Sequence, residues 1–292
     1  MSSDFKYTAF RRDVTRRQAL RLVGSTLAIA PLAQWLIGCA SEEGKNSGPV
    51  AWASGGTAAM RGGYPDPFST GLGATCKLTC KQNLGPCYSA VTSLREDISE
   101  GEPGLPTRFA FLVIDEQCRP VPDAIVDVWH ASAEGLYSGE GIAEEPHGEG
   151  NLEGCVHGDT RALRSRWFRG QQRTNSSGRA DFNSCFPGWY SRRTIHVHAI
   201  VRIAEVESET VQLYFDDALN DQIVGTQPIY NARGPRDSTN ATDIVGSRIG
   251  AELLPDYLFQ TRQMADGALL AWKTLVVRAS GVDVCRVGAR PA

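Results

Sequence analysis

Short apolar runs separated by turn signals dominate the sequence from residue 76 onward. Runs rich in β-branched and aromatic residues predict strands at 108–115, 124–131, 195–203, 210–215 and 269–279. Segments such as RPVPD and NSSG lie between them and indicate turns. Helical periodicity is weak outside residues 251–264. The pattern therefore predicts an all-β domain, a β-sandwich with long loops and few short helices.

The first apolar run of the chain has a different character. Arg16 and Arg17 precede a long apolar stretch that ends in Leu-Ile-Gly directly before Cys39. This order of basic, apolar and small residues is typical of an export signal. It resembles a twin-arginine signal joined to a bacterial lipobox, although Ala19 stands where an aromatic residue is usual. We expect removal of residues 1–38, lipidation of Cys39 and an extracytoplasmic, membrane-anchored protein; an uncleaved membrane-spanning anchor is the alternative.

Residues 39–74 separate this leader from the domain predicted at 75–292. They are rich in Gly, Ser and Pro and lack periodicity, which predicts a flexible tether, with packing on the domain as the alternative around Tyr64 to Phe68. Removing the first 39 residues leaves 24 basic and 31 acidic residues, a net charge of about −7. A negative net charge argues against nucleic acid as a partner.

The eight cysteines bear on the compartment. With Cys39 lipidated, seven remain, so an oxidising compartment predicts disulfides together with at least one thiol that has no partner within the chain. Cys76 and Cys80 have the spacing of half a metal knuckle, but no second close pair follows. This favours disulfides, whose pairing the spacing leaves open.

Two of the five histidines stand one residue apart in the segment PGWYSRRTIHVHAIV. On a strand, residues i and i+2 face the same side about 6.6 Å apart, so His196 and His198 can direct both imidazoles at one metal ion. Tyr190 precedes them, and Tyr137 follows the strand in VDVWHASAEGLYSG. Phenolate is a hard anionic ligand that suits Fe(III) better than Zn(II) or Cu(I). These four residues are the candidate ligands of one ferric ion.

The same motifs resemble a known family. VDVWHASAEGLYS followed by FRGQQRTNSSGRADFNSCFPGWYSRRTIHVH is similar to the intradiol ring-cleavage dioxygenases, which cleave catechol and protocatechuate, and the leader is similar to that of their exported branch. The resemblance spans about residues 76–234. It implies that Tyr137, Tyr190, His196 and His198 hold Fe(III), with no organic cofactor. It also implies two catalytic residues, with Tyr190 leaving the metal as a base and Arg193 lying beside the bound ring.

Further positions match the part of the family that surrounds the substrate. The substrate-binding residues implied by the resemblance are Gly85, Pro86, Tyr88, Gln171 and Arg193. Two cysteines depart from the family pattern. Cys87 stands in the pocket segment in place of an aromatic or bulky residue, and Cys118 stands in a turn in place of a glycine.

The remaining histidines have simpler interpretations. His130 follows Trp129 on a core strand and is expected to be a packed or hydrogen-bonded histidine. His147 and His157 lie in the Gly-rich, acidic loop from Gly139 to about Arg166 and are expected to be solvated. This loop is expected either to cap the site or to form a surface excursion.

Together these features lead to the expectation of a lipid-anchored, non-haem Fe(III) dioxygenase that cleaves a catechol-type ring with O₂ to a muconate-type dicarboxylate. Its partners are then O₂, a small catechol and a membrane. One alternative is a β-sandwich lipoprotein that binds aromatic or carbohydrate ligands without catalysis. Another is a zinc hydrolase that uses His196, His198 and a third histidine. The identity of the catechol and the oligomeric state stay open.

Overall fold

The strands account for most of the regular structure. Their bounds are β1 Pro106–Asp115, β2 Ile125–His130, β3 Arg169–Arg173, β4 Arg179–Cys185, β5 His196–Ile203, β6 Val206–Tyr214, β7 Gln260–Gln263 and β8 Leu269–Val277. They form two four-stranded sheets in the part of the chain that the structure describes, with the orders β4-β1-β8-β7 and β3-β2-β5-β6. The predicted β-sandwich is confirmed.

The structure is a computed structural model, and it describes residues 50–69, 76–90, 93–142, 151–204, 206–278 and 287. The predicted export signal and the lipidated Cys39 lie outside these residues. No described helix has both the length and the apolar character that a membrane crossing requires. The described residues belong to one unit that spans Ser47–Ala292.

Helices within these ranges are short. They are α1 Leu152–Val156, α2 Thr160–Leu163, α3 Asp217–Thr226 and α4 Pro228–Asn231, with 3-10 helices at Gly56–Ala59, Gly246–Arg248 and Leu254–Tyr257. The longest, α3, was not predicted; it begins after Asp216, whose side chain accepts a hydrogen bond from the Ala218 amide. The helical prediction for 251–264 is wrong beyond one 3-10 turn, because residues 260–263 pair with β8.

The pairing of the strands differs between the two sheets. In the second sheet all neighbours are antiparallel. In the first sheet β1 is antiparallel to β4 but parallel to β8. Strands β1, β2, β5, β6 and β8 occur where the apolar runs predicted them. The apolar runs did not predict β4 or β7, and β7 reads QTRQ, with no apolar residue to give an alternation signal.

Strand β5 shows how the second sheet divides its two faces. Val197, Ala199 and Val201 point between the sheets and belong to the main hydrophobic core. His196 and His198 alternate with them and therefore lie on the opposite, outer face. Residues 196–201 are all buried, so this outer face is covered by other parts of the chain. The site lies under that cover.

The segment before β1 packs on the domain instead of acting as a tether. The Ala53 amide donates to the Gly267 carbonyl at 2.9 Å, and Tyr64 donates its hydroxyl to Asp266 at 2.9 Å. The Phe68 ring packs against Leu112 in a small apolar cluster on the outer face of the first sheet. The tether prediction is therefore wrong for residues 50–69, and the alternative of packing around Tyr64 to Phe68 is confirmed.

The cysteines follow the prediction of disulfides with an unpaired thiol. Cys76 is bonded to Cys118, and Cys87 to Cys155. Cys80 is disulfide-bonded as well. Cys185 is a free, buried thiol within the described residues. Cys118 has a φ of 62°, in the left-handed region, so this turn position favours glycine. Here a disulfide-bonded cysteine takes the place of that glycine.

Asp266 holds the N-terminal segment, because its carboxylate accepts from the Arg61 amide and the Tyr64 hydroxyl. We predict that Asp266→Ala raises the rate of tryptic cleavage after the exposed Arg61 about tenfold, since hydrogen bonds to a charged group contribute roughly 1.5–3 kcal/mol. Limited proteolysis with mass spectrometry measures this. Asp221→Ala, which removes another exposed carboxylate, is the control, and equal cleavage of the two variants would contradict the proposed contact.

Candidate metal centre and substrate cavity

The predicted ligands come from strand β5, from the turn before it and from the loop after β2. Strand β5 supplies His196 and His198 from its outer face. Tyr190 comes from the turn before β5, where the Arg193 amide donates to the Tyr190 carbonyl at 2.9 Å. Tyr137 comes from the loop after β2. In that loop Gly135 has a φ of 77°, and a Cβ there would lie 2.3 Å from the Trp189 carbonyl oxygen, so this approach requires glycine.

The donor atoms of these four side chains converge. The Tyr137 and Tyr190 hydroxyl oxygens each lie 3.2 Å from Nε2 of His196, and they lie 3.5 Å from each other. The His196 and His198 rings are 4.9 Å apart between centroids. Tyr137, His196 and His198 are each only 2% exposed. The structure therefore brings all four predicted ligands to one buried place.

The protonation of the imidazoles suits metal binding. Nδ1 of His196 lies 2.7 Å from the Thr194 carbonyl oxygen, which can only accept, so Nδ1 carries the proton and Nε2 keeps its lone pair. Burial, followed by the Arg193 charge, lowers the pKa of His196 well below its usual value. Burial and the neighbouring His196 lower the pKa of His198 in the same direction. Both rings are neutral, as a metal ligand must be.

The phenols set a condition on the cation. Burial raises the pKa of Tyr137 well above 10, so its hydroxyl stays protonated unless a strong positive charge lies beside it. Two phenol oxygens and two imidazole nitrogens form a donor set that fits a hard trivalent cation such as Fe(III). No group of three His, Cys, Asp or Glu residues that could hold a metal occurs among the described residues. The described residues therefore offer no metal site made of His, Cys, Asp or Glu alone.

The other described histidines lie away from these four side chains. His130 points into the core, where its ring nitrogens contact the Ala131 carbonyl at 2.8 Å and the Ser184 hydroxyl at 2.7 Å. His157 is exposed on the surface. Both agree with their predictions, and His147 lies outside the described residues. The zinc hydrolase alternative thus lacks a third histidine in the described part of the chain.

Arg193 lies beside the ligands and is 6% exposed. Its Nη1 donates to the Tyr190 hydroxyl at 3.2 Å, its Nε donates to Asp243 at 2.9 Å, and its Nη2 donates to the Gln212 side chain. Three acceptors therefore fix the guanidinium plane against Tyr190. The sequence placed Arg193 here by resemblance, but it did not identify Gln212 or Asp243.

Asp243 connects two parts of the site. Its carboxylate accepts from the Thr194 amide at 2.7 Å, as well as from Arg193, at the start of β5. It also accepts from the Val245 amide at 2.8 Å and the Gly246 amide at 2.6 Å, where the 3-10 helix Gly246–Arg248 begins. One fully buried carboxylate thus holds the arginine, the strand and the helix together. Its distance along the chain explains why no local motif indicated it.

A cavity of about 940 Å³ opens next to this centre. Tyr190, Arg193 and Gln212 line it on one side, and the segment Gly85, Pro86 and Cys87 lines it on another. Gly85 approaches the ligand His198 so closely that a Cβ there would lie 3.1 Å from the ring carbon Cε1. The predicted substrate-binding residues Gly85, Pro86 and Arg193 therefore do border one cavity.

Tyr88 and Gln171 are not among the described residues that line this cavity, so their prediction as substrate-binding residues is not supported. Both side chains donate instead to Asp127, at 3.2 and 3.1 Å, and Arg202 forms an ion pair with the same carboxylate at 3.0 Å. Gln171 lies on β3, directly opposite Asp127 on β2, which separates it from β5.

The polar cluster of Tyr88, Asp127, Gln171 and Arg202 contacts the candidate ligand His198 through Trp129. Burial raises the pKa of Asp127, with Arg202 opposing the shift. Trp129 lies between this cluster and the ligands: its ring stacks on His198 at 4.7 Å with an interplanar angle of 10°, and it contacts the Tyr88 ring at 4.8 Å. The cluster thus fixes the position of His198 through Trp129.

The loop that begins at Gly139 borders the cavity. Asn151 and Gly154 are lining residues, while residues 143–150 lie outside the described part. The Cys87–Cys155 disulfide joins this loop to the pocket segment, and the Cys155 carbonyl accepts from the Tyr137 amide at 3.0 Å. Cys87 therefore replaces a bulky pocket residue with a covalent link that also supports a ligand.

Comparisons with known proteins agree with this architecture. The sequence matches the model of the family Dioxygenase_C, described as dioxygenase, over residues 84–248. The fold is similar to the intradiol ring-cleavage dioxygenase from Tetranychus urticae, with 23% identity and a TM-score of 0.58, covering 70% of this chain and 96% of that chain. It is also similar to dioxygenase Tetur07g02040, with 23% identity, a TM-score of 0.57 and the same coverage. No curated protein matches the sequence.

The Arg193–Asp243 ion pair leads to a prediction on stability. Asp243→Asn leaves the Arg193 charge buried without its counter-ion and should lower the free energy of unfolding by about 3 kcal/mol. Urea unfolding followed by tryptophan fluorescence measures the change. Asp237→Asn is the control, because Asp237 is exposed, accepts from the Arg192 amide and its neighbour Ser238, and forms no ion pair among the described residues. Equal losses in the two variants would show that the ion pair is not a main support of the site.

Proposed function

This chain belongs to the dioxygenase family whose model covers residues 84–248, and on that premise we propose that it is an Fe(III)-dependent intradiol dioxygenase. It cleaves a catechol-type ring with O₂ to a muconate-type dicarboxylate. The observation that carries the proposal is the convergence of the Tyr137 and Tyr190 hydroxyls on Nε2 of His196 beside a cavity. The resemblance predicted from the sequence is confirmed at the level of family and fold.

The residues that hold the iron are Tyr137, Tyr190, His196 and His198. Bound Fe(III) supplies the Lewis acidity that draws electron density from a deprotonated catechol and makes its ring reactive toward O₂. Every other requirement falls on this chain's own side chains, which must bind the catechol, accept its protons and hold negative charge.

Tyr190 is the side chain that accepts a proton from the substrate. Unlike Tyr137, it lines the cavity and is only partly buried, so its hydroxyl oxygen is the one that a catechol hydroxyl reaches. Arg193 donates to that oxygen at 3.2 Å and holds it beside the cavity. After the transfer the same guanidinium faces the negative charge that develops on the ring.

Gln212 and Asp243 keep Arg193 in place during these steps. Both accept from its guanidinium on the side away from Tyr190, so Nη1 remains directed at the cavity. Arg193 needs little reorganisation when the substrate charge develops, which is the condition for effective electrostatic stabilisation. These two residues therefore position the arginine, and Arg193 itself contacts the substrate.

The proposal is tested on the iron-loaded mature protein with a panel of catechols. We expect a broad visible absorption from ferric phenolate, O₂ uptake with a catechol and a ring-cleaved dicarboxylate by mass spectrometry. Tyr137→Phe should weaken the absorption and lower the rate on the order of 100-fold or more, since changes around metal ligands alone cost 10- to 100-fold. Tyr64→Phe, a tyrosine on the N-terminal segment, is the matched control. An iron-loaded protein that cleaves no catechol would contradict the proposal and favour a non-catalytic binding protein.

We also propose that the protein is a lipoprotein outside the cytoplasm, held by Cys39. The basic, apolar and small residues before Cys39 support this, and so do the disulfides, which persist in oxidising compartments. Expressed in a bacterial host, the wild type should be found in the membrane fraction, and Cys39→Ser should lose that association. Retention of the variant in the membrane would instead indicate an uncleaved spanning anchor.

A further inference from the structure

We propose that Arg192 and Arg248 bind an acidic group of the substrate, so that the preferred substrate is a catechol whose ring carries a carboxylate-bearing side chain. The inference rests on the proposed function, since it names the substrate class of the same cavity. Neither arginine belongs to the predicted site, and both line the cavity together with Arg193.

The first argument is the charge of the cavity. Arg192, Arg193 and Arg248 line it, and no Asp or Glu is among its described lining residues. The charge of Arg193 is matched by Asp243. Arg192 and Arg248 are exposed, and within the described ranges neither guanidinium has a carboxylate within 4.0 Å. Two positive charges therefore remain for a ligand.

This local charge is opposite to that of the whole protein. The sequence carries 33 acidic and 30 basic residues, and the excess of acidic residues grows when the leader is removed. A cationic cavity in an anionic protein concentrates anionic ligands at its opening and keeps cationic ones away. The positive charge of the cavity can therefore favour an anionic substrate, although the net charge of the protein is negative.

The second argument is the backbone that carries Arg192. This residue has a φ of 65°, a left-handed conformation that favours glycine and is strained for an arginine. Its amide donates to Asp237 at 3.1 Å, and this bond holds the turn between Tyr190 and Arg193. The strained turn fixes a cation two residues from the tyrosine that faces the substrate.

Arg248 is fixed by the same framework. It ends the 3-10 helix Gly246–Arg248, whose first amides are held by Asp243. Because Asp243 also binds Arg193, the position of Arg248 is tied to that of the catalytic guanidinium. A backbone that is held before binding reduces the conformational entropy lost when its side chain meets a ligand, so both arginines are suited to recognition.

The third argument is the size and lining of the cavity. Catechol is a single ring with two hydroxyls, whereas cavities of about 300–1,000 Å³ hold drug-sized ligands. The volume of about 940 Å³ thus leaves room for a ring substituent. Pro86, Ile244 and Val245 supply apolar lining, and Ile244 is 37% exposed. A short apolar chain that ends in a carboxylate matches both the apolar lining and the two arginines, since guanidinium binds carboxylate through paired hydrogen bonds.

The test compares 3,4-dihydroxycinnamate with its neutral methyl ester, which has the same ring and nearly the same size. In the iron-loaded wild type we expect a higher kcat/KM for the acid. Arg248→Gln and Arg192→Gly should each lower the acid-to-ester ratio about three- to tenfold, with the loss mainly in KM. Glycine is chosen at 192 because it relieves the left-handed backbone, so the variant should fold at least as well as the wild type.

Arg164→Gln is the matched control. Arg164 is exposed on the loop after α2 and does not line the cavity, so this variant removes one positive charge from the protein alone. Its acid-to-ester ratio should equal that of the wild type. An equal fall in this control would mean that net charge, and not contact with the two arginines, sets the preference, and it would overturn the inference.

A binding measurement separates this inference from the proposed function. Calorimetry with 4-hydroxycinnamate and its methyl ester, which lack the second hydroxyl, reports recognition in the absence of turnover. Tighter binding of the acid that is lost in Arg192→Gly and Arg248→Gln supports the inference even if no catechol is cleaved, in which case only the proposed function fails. If the wild type binds and cleaves acid and ester equally, the inference fails and the dioxygenase proposal stands.

Discussion

The two-residue alternation of β5 is the constraint on which the site depends. It sends Val197, Ala199 and Val201 into the core between the sheets, and it thereby sends His196 and His198 to the outer face. A sandwich sheet normally leaves that face to water. Here a second layer of chain buries it, and every polar group under the layer then needs a partner. The hydrogen bonds around the ligands follow from this need.

Two buried carboxylates meet part of that need from opposite sides. Asp243 fixes Arg193 on the cavity side of the ligands, and Asp127 fixes Tyr88 and Arg202 on the far side of Trp129. Each carboxylate is paired with an arginine, which is the condition for burying a charge. The four candidate ligands therefore lie between two ion-paired clusters, Arg193 with Asp243 and Arg202 with Asp127.

The sequence predicted what depends on local spacing. The alternation in IHVHAIV and the apolar runs of β1 and β8 are local, and so are the Tyr137 and Tyr190 motifs. The sequence therefore predicted these strands and four candidate ligands, whose side chains the structure brings together. Asp243 and Gln212 bind Arg193 from 50 and 19 residues away along the chain. A local sequence pattern cannot predict contacts between residues so far apart. Gln171 was misplaced because its motif gives the strand but not the position of that strand in the sheet.

The two tyrosines differ because their supports differ. Tyr137 is held from its backbone, since its amide donates to the Cys155 carbonyl and the Cys87–Cys155 disulfide fixes that loop on the pocket segment. Tyr190 belongs to a strained turn, lines the cavity and is bound at its hydroxyl by Arg193, a contact that a substrate can replace. The Tyr137 side chain is enclosed by packed chain at 2% exposure, whereas the Tyr190 side chain borders open space. The covering layer thus buries the Tyr137 phenol and leaves the Tyr190 phenol facing the cavity.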